Sequence, residues 1–282
     1  MNYNEAYQYG DETLQASGIE DAAQEALLLL EHICHTKRSD LYAHPDKELR
    51  AEESDAYQAV LAQRALHLPY AQITGNCAFM GLNFFVNEHV LIPRPDTECL
   101  VEECMPQLHD GMTFMDLCTG SACIALSLLH YSNHTRCVAT DLSEEALSVA
   151  TRNAQELELT DRIEFIKTDL FPERQLVPEK GLDLIVSNPP YIESDVIATL
   201  MPEVREHEPR MALDGGADGL DFYRRIVEKA PNYLARGGML LVEIGYDQGE
   251  SVPALFTQAG FKNVKMIRDL AGNARVVSGV YF

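Results

Sequence analysis

The chain has 282 residues, of which 46% are hydrophobic, and a formal net charge of −22 from 44 acidic and 22 basic residues. This length fits two domains better than one small domain. The acidity disfavours a protein that binds mainly through nucleic-acid phosphates, so we expect no direct nucleic-acid binding. No segment approaches the roughly 20 apolar residues of a membrane span, and we expect no membrane association.

Two features bear on the compartment of the protein. The seven cysteines form an odd set without a Cys-x-x-Cys pair. This favours buried reduced thiols over disulfides or zinc ligands, and we predict no metal site. Residues 1–5 lack the basic and apolar regions of a signal peptide. These observations predict a cytoplasmic location.

The first third of the chain divides into a helical part and a strand-like part. Apolar residues recur at helical spacing over residues 20–35 and 52–68, which predicts a small helical domain over residues 1–69. Residues 70–92 then alternate between apolar and polar, with Gly75 and Gly81 as turn signals. This pattern predicts a β-hairpin connector.

From residue 111 onward, strand-like and helix-like segments alternate. The alternation predicts an α/β fold with a doubly wound, mainly parallel sheet and helices on both faces. The predicted strands cover residues 113–118, 135–140, 162–167, 182–187 and 239–244. The predicted helices cover residues 122–129, 143–158, 219–234 and 252–259. Residues 264–267 and 274–281 are predicted to close the sheet as a pair that includes an antiparallel strand.

Candidate binding groups follow four consecutive predicted strands. Ligands of such sheets bind beyond the carboxyl ends of the strands, where the strand order reverses. The groups are, in order, the loop of Cys118, Thr119, Gly120, Ser121 and Ala122; Asp141; Asp169 with Leu170; and Asn188, Pro189, Pro190 and Tyr191. Their order on successive strands indicates one shared site.

The first three groups have both a functional and a structural interpretation. The small-residue loop suits a carboxylate or phosphate, but many helices begin this way. Asp141 can accept both hydroxyls of a ribose or can cap the following helix. Asp169 can meet an adenine amino group or can occupy a surface turn. A ribose-binding acid without the dinucleotide fingerprint points to a nucleoside that carries an amino acid, and S-adenosylmethionine fits this description.

The fourth group, Asn188-Pro189-Pro190-Tyr191, is the most informative segment of the chain. The two prolines stiffen the loop and exclude a sheet interior. The loop offers an amide oxygen, carbonyl oxygens and an aromatic ring, which together suit a planar amino group. We predict that Asn188 and Pro189 accept the two hydrogens of that group and that Tyr191 packs on its plane. The alternative interpretation is an ordinary proline-rich turn after a strand.

Taken together, these motifs resemble those of the peptide chain release factor glutamine methyltransferases. The resemblance covers nearly the whole chain. Its segments are 68–75, 79–84, 91–98, 116–121, 186–192, 203–209, 212–216, 218–220, 243–248 and 269–272. The last segments include Glu243-Ile244-Gly245. The conjunction is far more selective than the Asn-Pro-Pro-Tyr motif, which is shared with enzymes that methylate adenine amino groups.

The resemblance implies a fold, a reaction and a partner. It implies a seven-stranded methyltransferase sheet in a domain over residues 93–282. The implied reaction transfers a methyl group from S-adenosylmethionine to the side-chain amide nitrogen of glutamine in the Gly-Gly-Gln motif of release factors. The resemblance assigns the cofactor to residues 118–122, Asp141, Leu170 and Asn188, and the substrate glutamine to residues 188–191. It leaves open which release factor is the preferred substrate.

The chain departs from the family pattern at a few positions. Cys118 and Ala122 stand where glycine is usual, which predicts a more crowded loop. Leu170 stands where an aromatic residue is common, which predicts weaker stacking on adenine, and Asp96 replaces the usual glutamate. Two alternative functions remain at this point: an adenine amino-group methyltransferase of nucleic acid, and a non-catalytic module that binds S-adenosylmethionine.

Overall fold

The computed structural model describes all 282 residues. The helices are α1 (Tyr3–Ala16), α2 (Ala22–Cys34), α3 (Arg38–Ala43), α4 (Ala51–Ala65), α5 (Tyr70–Thr74), α6 (Glu98–Cys104), α7 (Cys123–His130), α8 (Glu144–Glu156), α9 (Pro202–His207), α10 (Asp221–Lys229) and α11 (Ser251–Gln258). The strands are β1 (Asn76–Phe79), β2 (Leu82–Phe85), β3 (Thr113–Leu117), β4 (Arg136–Asp141), β5 (Ile163–Lys167), β6 (Leu182–Ser187), β7 (Leu234–Glu243), β8 (Lys262–Arg268) and β9 (Ala274–Val280). None of the helices is long and apolar enough to cross a membrane.

The chain forms two compact units. The first contains Met1–Asn76 together with Met201–His207, and the second contains Cys77–Leu200 and Glu208–Phe282. The first unit is helical, and the second contains the large sheet. The domain limits at residues 69 and 92 that we inferred from the sequence stay a prediction.

The first unit packs its helices around the fully buried side chain of Tyr57. The Tyr57 hydroxyl donates a hydrogen bond to the Ala26 carbonyl at 3.0 Å, which ties α4 to α2. Arg64 is also buried and forms ion pairs with Glu25 and, at 3.1 Å, with Glu203 of α9. A buried guanidinium needs such partners, because an unpaired charge in the interior is strongly unfavourable.

The second unit has the predicted seven-stranded sheet. Its strand order is β5-β4-β3-β6-β7-β9-β8. The strands from β5 to β7 are parallel, and β9 runs antiparallel to both of its neighbours. The order reverses between β3 and β6, which is where a doubly wound sheet binds its ligands. The fold class predicted from the sequence is confirmed.

Helices cover both faces of this sheet. Phe114 and Met115 are consecutive in β3 and are fully buried, but they belong to two different apolar clusters. This is the expected consequence of strand geometry, because successive side chains point to opposite faces. The near-continuous apolar run of β6, which predicted the strand, follows from burial on both faces.

Two segments differ from the sequence prediction. Tyr70–Thr74 is a helix rather than the start of the alternating segment, and it ends at Gly75 with a left-handed φ of 65°. Strand β7 begins at Leu234, five residues before the predicted start at 239. The pairing of β6 with β7 shifts its register between Leu182 and Leu184. The first residues of β7 are therefore irregular and lack the alternation of apolar and polar residues that would reveal a strand.

All seven cysteines are free thiols. Cys104, Cys123 and Cys137 are buried, and the other four are partly buried. Burial raises the pKa of the Cys104 and Cys137 thiols well above the ordinary value. These side chains therefore behave as small apolar groups of the core.

Gly10 of α1 tests the packing of the first unit. A Cβ at this position would lie 2.1 Å from the Tyr57 hydroxyl oxygen and 3.0 Å from the Ala26 Cβ. Replacing glycine by alanine in a helix interior normally stabilises by up to about 1 kcal/mol. Here we expect Gly10→Ala to destabilise by about 1–3 kcal/mol, because overpacking outweighs helix propensity. Urea unfolding measures the change.

The double variant Gly10→Ala/Tyr57→Phe is the matched control. It removes the hydroxyl oxygen that the new methyl group would meet. It should be less destabilised than the sum of the two single variants, because residues in contact are not additive. Additive effects of the two substitutions would contradict the packing described here.

Candidate active site

A cavity of about 390 Å³ lies beyond the carboxyl ends of the parallel strands. Its volume is that of a small-molecule site. Among the residues predicted from the sequence, the lining includes Cys118, Thr119, Gly120, Ser121, Asp141, Asp169, Leu170, Asn188 and Pro190. Ala122, Pro189 and Tyr191 are adjacent in the chain but do not line the cavity. No group of three or more His, Cys, Asp or Glu side chains is arranged to hold a metal ion.

The loop between β3 and α7 is held by its own backbone and by two neighbours. The Thr119 N–H donates to the Thr140 carbonyl at 3.0 Å, and the Gly120 N–H donates to Asp141 Oδ2 at 2.9 Å. A Cβ at Gly120 would meet no atom within 4 Å, so this part of the loop faces open space. The loop therefore brings backbone close to whatever occupies the cavity.

Asp141 follows β4 and lies beside this loop. Its Oδ1 accepts a hydrogen bond from the Ser143 N–H at 2.9 Å, and its Oδ2 accepts the bond from Gly120. The cap of α8 is Ser143, whose hydroxyl accepts a hydrogen bond from Ala146 N–H. Asp141 is therefore not the helix cap. Each carboxylate oxygen retains a second lone pair that is available to a ligand.

The cavity wall beyond β5 includes Phe222 and Arg225, two residues that the sequence did not predict. Asp169 is largely exposed and forms an ion pair with Arg225 at 2.6 Å. Leu170 is buried and lines the cavity beside Phe222 of α10. The first turn of α10 thus supplies an aromatic ring and a cation to this wall. No local signal marks Phe222 or Arg225, because their position depends on how α10 packs on the sheet.

Asn188 stands at the end of β6 with its amide nitrogen held in place. Its Nδ2 donates a hydrogen bond to Thr97 Oγ1 at 3.2 Å. Neither Asn188 Oδ1 nor the Pro189 carbonyl accepts a hydrogen bond from another group of the chain. The loop therefore has two free oxygen acceptors that are close in sequence.

Tyr191 is held by hydrogen bonds at both its side chain and its backbone. Its hydroxyl donates a hydrogen bond to Glu243 Oε1 at 3.2 Å, and its carbonyl accepts one from Gln248 Nε2 at 3.2 Å. Gly219 is required by this packing, since a Cβ there would lie 2.4 Å from the Tyr191 carbonyl oxygen. Gly219 also has a left-handed φ of 67°. The loop is therefore rigidly supported.

Comparison with known proteins agrees with this geometry. The family model described as PrmC N-terminal domain matches residues 5–75, and the model described as methyltransferase small domain matches residues 95–205. The release factor glutamine methyltransferase of Geobacter sulfurreducens is 42% identical over 266 residues, which cover 94% of this chain and 92% of that protein. That of Cereibacter sphaeroides is 43% identical over 265 residues, which cover 94% and 93%.

The chain belongs to the release factor glutamine methyltransferase family. The resemblance inferred from the sequence motifs is thereby confirmed, and the chain is an enzyme, a methyltransferase. A solved structure of a methyltransferase from Pyrococcus furiosus superimposes with a TM-score of 0.52 at 19% identity, covering 80% of this chain and 98% of that one. This likeness supports the methyltransferase fold.

Three of the four departures from the usual pattern of this methyltransferase family, all except Asp96, occur at strained backbone positions. Cys118 and Ala122 have φ values of 57° and 62°, in the left-handed region that favours glycine. Leu170 shares this conformation, with φ 68°. Each such residue costs of order 1–3 kcal/mol, and the surrounding fold must hold it. The methyltransferase cavity is thus built on several unfavourable backbone conformations.

Asp116 lies fully buried in β3, directly below the loop. Its Oδ2 accepts a hydrogen bond from the Thr119 hydroxyl at 2.6 Å, while Oδ1 has no partner. Burial raises the pKa of Asp116 to about 7, against the lowering effect of its hydrogen bonds from Thr119 and Ala125. The folded chain therefore favours the neutral carboxyl. Its contribution to stability is complete below the ordinary pKa and is lost as the pH rises through about 7.

We predict that Asp116→Asn changes the pH dependence of stability. Asparagine resembles the neutral carboxyl in shape and cannot ionise. Between pH 4 and pH 8, the free energy of unfolding of the variant should shift relative to wild type by roughly 2–4 kcal/mol in the variant's favour. Denaturant unfolding at both pH values measures this shift. Asp110→Asn, at an exposed aspartate, should show no such shift; equal behaviour of the two variants would exclude the buried titration.

Proposed function

We propose that this enzyme transfers a methyl group from S-adenosylmethionine to the side-chain amide nitrogen of the glutamine in the Gly-Gly-Gln motif of peptide chain release factors. The family membership supports the reaction, since the relatives named above are called release factor glutamine methyltransferases. The geometry around Asn188 supports the chemistry of an amide acceptor. This pairing of evidence favours a protein substrate over a nucleic acid.

The observation that carries the proposal is the pair of free acceptors at the end of β6. A carboxamide –NH2 group has two hydrogens and offers no good acceptor of its own on nitrogen. Asn188 Oδ1 and the Pro189 carbonyl are both without an internal donor. Two adjacent oxygens of this kind match the two hydrogens of the substrate amide.

The chain contributes position and polarity to the reaction. S-adenosylmethionine supplies, when bound, a methyl group on a positively charged sulfur. Asn188 Oδ1 and the Pro189 carbonyl hold the two amide hydrogens, and the Tyr191 ring restrains the amide plane. Positive charge develops on the nitrogen in the transition state, so both hydrogen bonds strengthen there, by about 1.5–3 kcal/mol each. The displaced proton leaves to solvent.

The cavity residues fit the proposed cofactor. Asp141 has lone pairs left for two ribose hydroxyls after accepting the hydrogen bonds of Gly120 and Ser143. The open backbone at Gly120 suits the amino-acid end of the cofactor. Leu170 and Phe222 offer apolar surface to an adenine ring, and Asp169 lies at the rim for its amino group. The exposed Asp169 is the weakest of these contacts because water competes for it.

The release factor is the proposed partner, and the cytoplasm is the proposed compartment. We assign its recognition to the helical domain over residues 1–69, joined through the hairpin of residues 70–92 to the methyltransferase domain over residues 93–282. A family model described as an N-terminal domain covers residues 5–75, which supports a family-specific role for this region. The net charge of −22 disfavours DNA as the substrate.

A labelling experiment tests the proposed function. The enzyme is incubated with methyl-labelled S-adenosylmethionine and either a release factor, the same factor with the motif glutamine replaced by alanine, or double-stranded DNA. We expect label on the motif glutamine of the unmodified factor alone. Label on DNA, or on the factor without the glutamine, would overturn the proposal.

Asn188→Ala should lower kcat far more than it lowers cofactor affinity. The variant loses one acceptor and the positioning of the amide, for which we expect a fall of about 100-fold. Steady-state kinetics with the release factor measure kcat, and calorimetry measures cofactor binding. Asn133→Ala, at an exposed asparagine, is the control and should behave as wild type. Turnover of Asn188→Ala within tenfold of wild type would contradict the assigned role.

Asp141→Ala should act chiefly on cofactor binding. Loss of two hydrogen bonds to a charged group costs several kcal/mol, so calorimetry should show at least about a 100-fold rise in the Kd of S-adenosylmethionine. Glu145→Ala removes an exposed carboxylate from the first turn of α8 and should leave the Kd unchanged. An unchanged Kd for Asp141→Ala would mean that Asp141 only supports the loop.

A further inference from the structure

Glu243 is a buried carboxylate beside the Asn188–Tyr191 loop. Strands β6 and β7 are parallel, and Ser187 is paired with Val242. Asn188, which follows β6, and Glu243, the last residue of β7, therefore lie side by side. Glu243 is 1% exposed and does not line the cavity. A carboxylate in this position is costly unless it is well partnered, and the proposed reaction assigns it no role so far.

The contacts of Glu243 lead to the substrate-binding loop. Its Oε1 accepts the hydrogen bond of the Tyr191 hydroxyl at 3.2 Å, and its backbone carbonyl accepts one from the Tyr223 hydroxyl at 2.8 Å. Its Oε2 has no hydrogen-bond partner. The side chain therefore restrains Tyr191 directly and retains acceptor capacity.

A second connection runs through Thr97. This residue is 2% exposed, and its Oγ1 accepts the hydrogen bond of Asn188 Nδ2 at 3.2 Å. A hydroxyl that accepts from an amide must direct its own hydrogen to another acceptor. A side-chain interaction with the nearby Thr97 is among the effects that lower the pKa of the Glu243 carboxyl. Glu243 Oε2 has no other partner, so it is the acceptor open to the Thr97 hydrogen, and this leaves Thr97 Oγ1 as the acceptor for Asn188.

We propose that Glu243 is a positioning residue that sets the orientation of both Asn188, through Thr97, and Tyr191, through its hydroxyl. With Nδ2 of Asn188 committed to Thr97, Oδ1 is the end that faces the substrate. If the amide rotated by half a turn, its NH2 group would meet the NH2 group of the substrate and binding would fail. This inference rests on the proposed function, because it assumes that an amide is the methyl acceptor.

The proposed role requires the ionised carboxylate. A protonated Glu243 would donate one hydrogen bond itself and would be a poorer acceptor for the Thr97 and Tyr191 hydroxyls. Burial raises the pKa of Glu243 to about 7, against the lowering effects of the Thr97 hydrogen bond, the Arg275 charge and the Tyr191 hydrogen bond. The kcat of wild type should therefore rise with pH up to a plateau above about 7.

The charged and titratable groups around Glu243 come from several elements. They are Asp96 before α6, Cys123 at the start of α7, Tyr191 after β6, Tyr223 on α10 and Arg275 on β9. Burial raises the pKa values of Cys123, Tyr191 and Tyr223 above their ordinary values, so these groups stay neutral near pH 7. Burial also raises the pKa of Asp116, beneath the cavity loop, to about 7. Asp110→Asn, at an exposed aspartate, is the control and should keep the pH profile of wild type.

The test compares three variants at Glu243 and Thr97, with release factor and S-adenosylmethionine as substrates. Glu243→Gln keeps the shape but removes the charge, and Thr97→Val keeps the shape but removes the hydroxyl. For both we expect kcat to fall by about 10- to 100-fold, with the Kd of S-adenosylmethionine within about twofold of wild type. Thr97→Ser retains the hydroxyl and should stay close to wild type. In Glu243→Gln the rise of kcat between pH 6 and pH 8 should disappear.

A double variant separates positioning from general destabilisation. If Glu243 acts through Thr97, the effects of Glu243→Gln and Thr97→Val on kcat should combine to clearly less than their product. Thermal unfolding of each variant gives its stability. If Glu243→Gln does not fold, the comparison of Thr97→Val with Thr97→Ser decides the matter through the same hydrogen bond.

The outcomes distinguish this inference from the proposed function. Absence of glutamine methylation by wild type would overturn the proposed function itself. Methylation by wild type, with unchanged kcat and an unchanged pH profile in Glu243→Gln, would overturn only the role of Glu243. Equal kcat values for Thr97→Val and Thr97→Ser would likewise overturn it, since only the serine variant retains the hydroxyl.

Discussion

The hydrogen bond between Asn188 Nδ2 and Thr97 Oγ1 fixes which end of the Asn188 amide is left free. A side-chain amide has an acceptor end and a donor end of nearly equal size, so shape alone cannot orient it. A fixed hydrogen-bond partner outside the amide makes one orientation preferable. Thr97 is that acceptor, and it is buried where water cannot replace it. The selectivity for an –NH2 group that we propose for this site depends on this contact.

The rest of the second unit can be understood as support for that contact. The parallel pairing of β6 with β3 and β7 fixes where Asn188 leaves the sheet. The packing of Gly219 against the Tyr191 carbonyl then fixes how the loop continues. In the proposed reaction the protein forms no covalent bond to the substrate, and its main contribution is accurate positioning. A site placed on the end of two buried strands meets this demand better than one on a free loop.

The sequence predicted the sheet well because its strands are short apolar runs buried on both faces. It also predicted that Asp141 and Asn188 lie at one edge of the sheet, where both line the cavity, because the carboxyl ends of parallel strands meet there. It could not predict Phe222 or Arg225, whose place in the cavity depends on the packing of a distant helix. Similarly, the irregular start of β7 has no period to detect. The limits of the prediction are therefore set by long-range packing rather than by local pattern.

Three acidic side chains with raised pKa values, Asp116, Asp141 and Glu243, lie in or beneath this site. In each case, burial disfavours the charged form and the hydrogen bonds only partly offset it. The folded chain thus gives up stability near neutral pH in order to keep acids next to the cavity. A positively charged cofactor in that cavity would favour the ionised forms and recover part of this loss. The same buried carboxyl groups that would attract the cofactor therefore lower the free energy of unfolding. We expect the ligand-free enzyme to be less stable than the cofactor-bound enzyme at neutral pH.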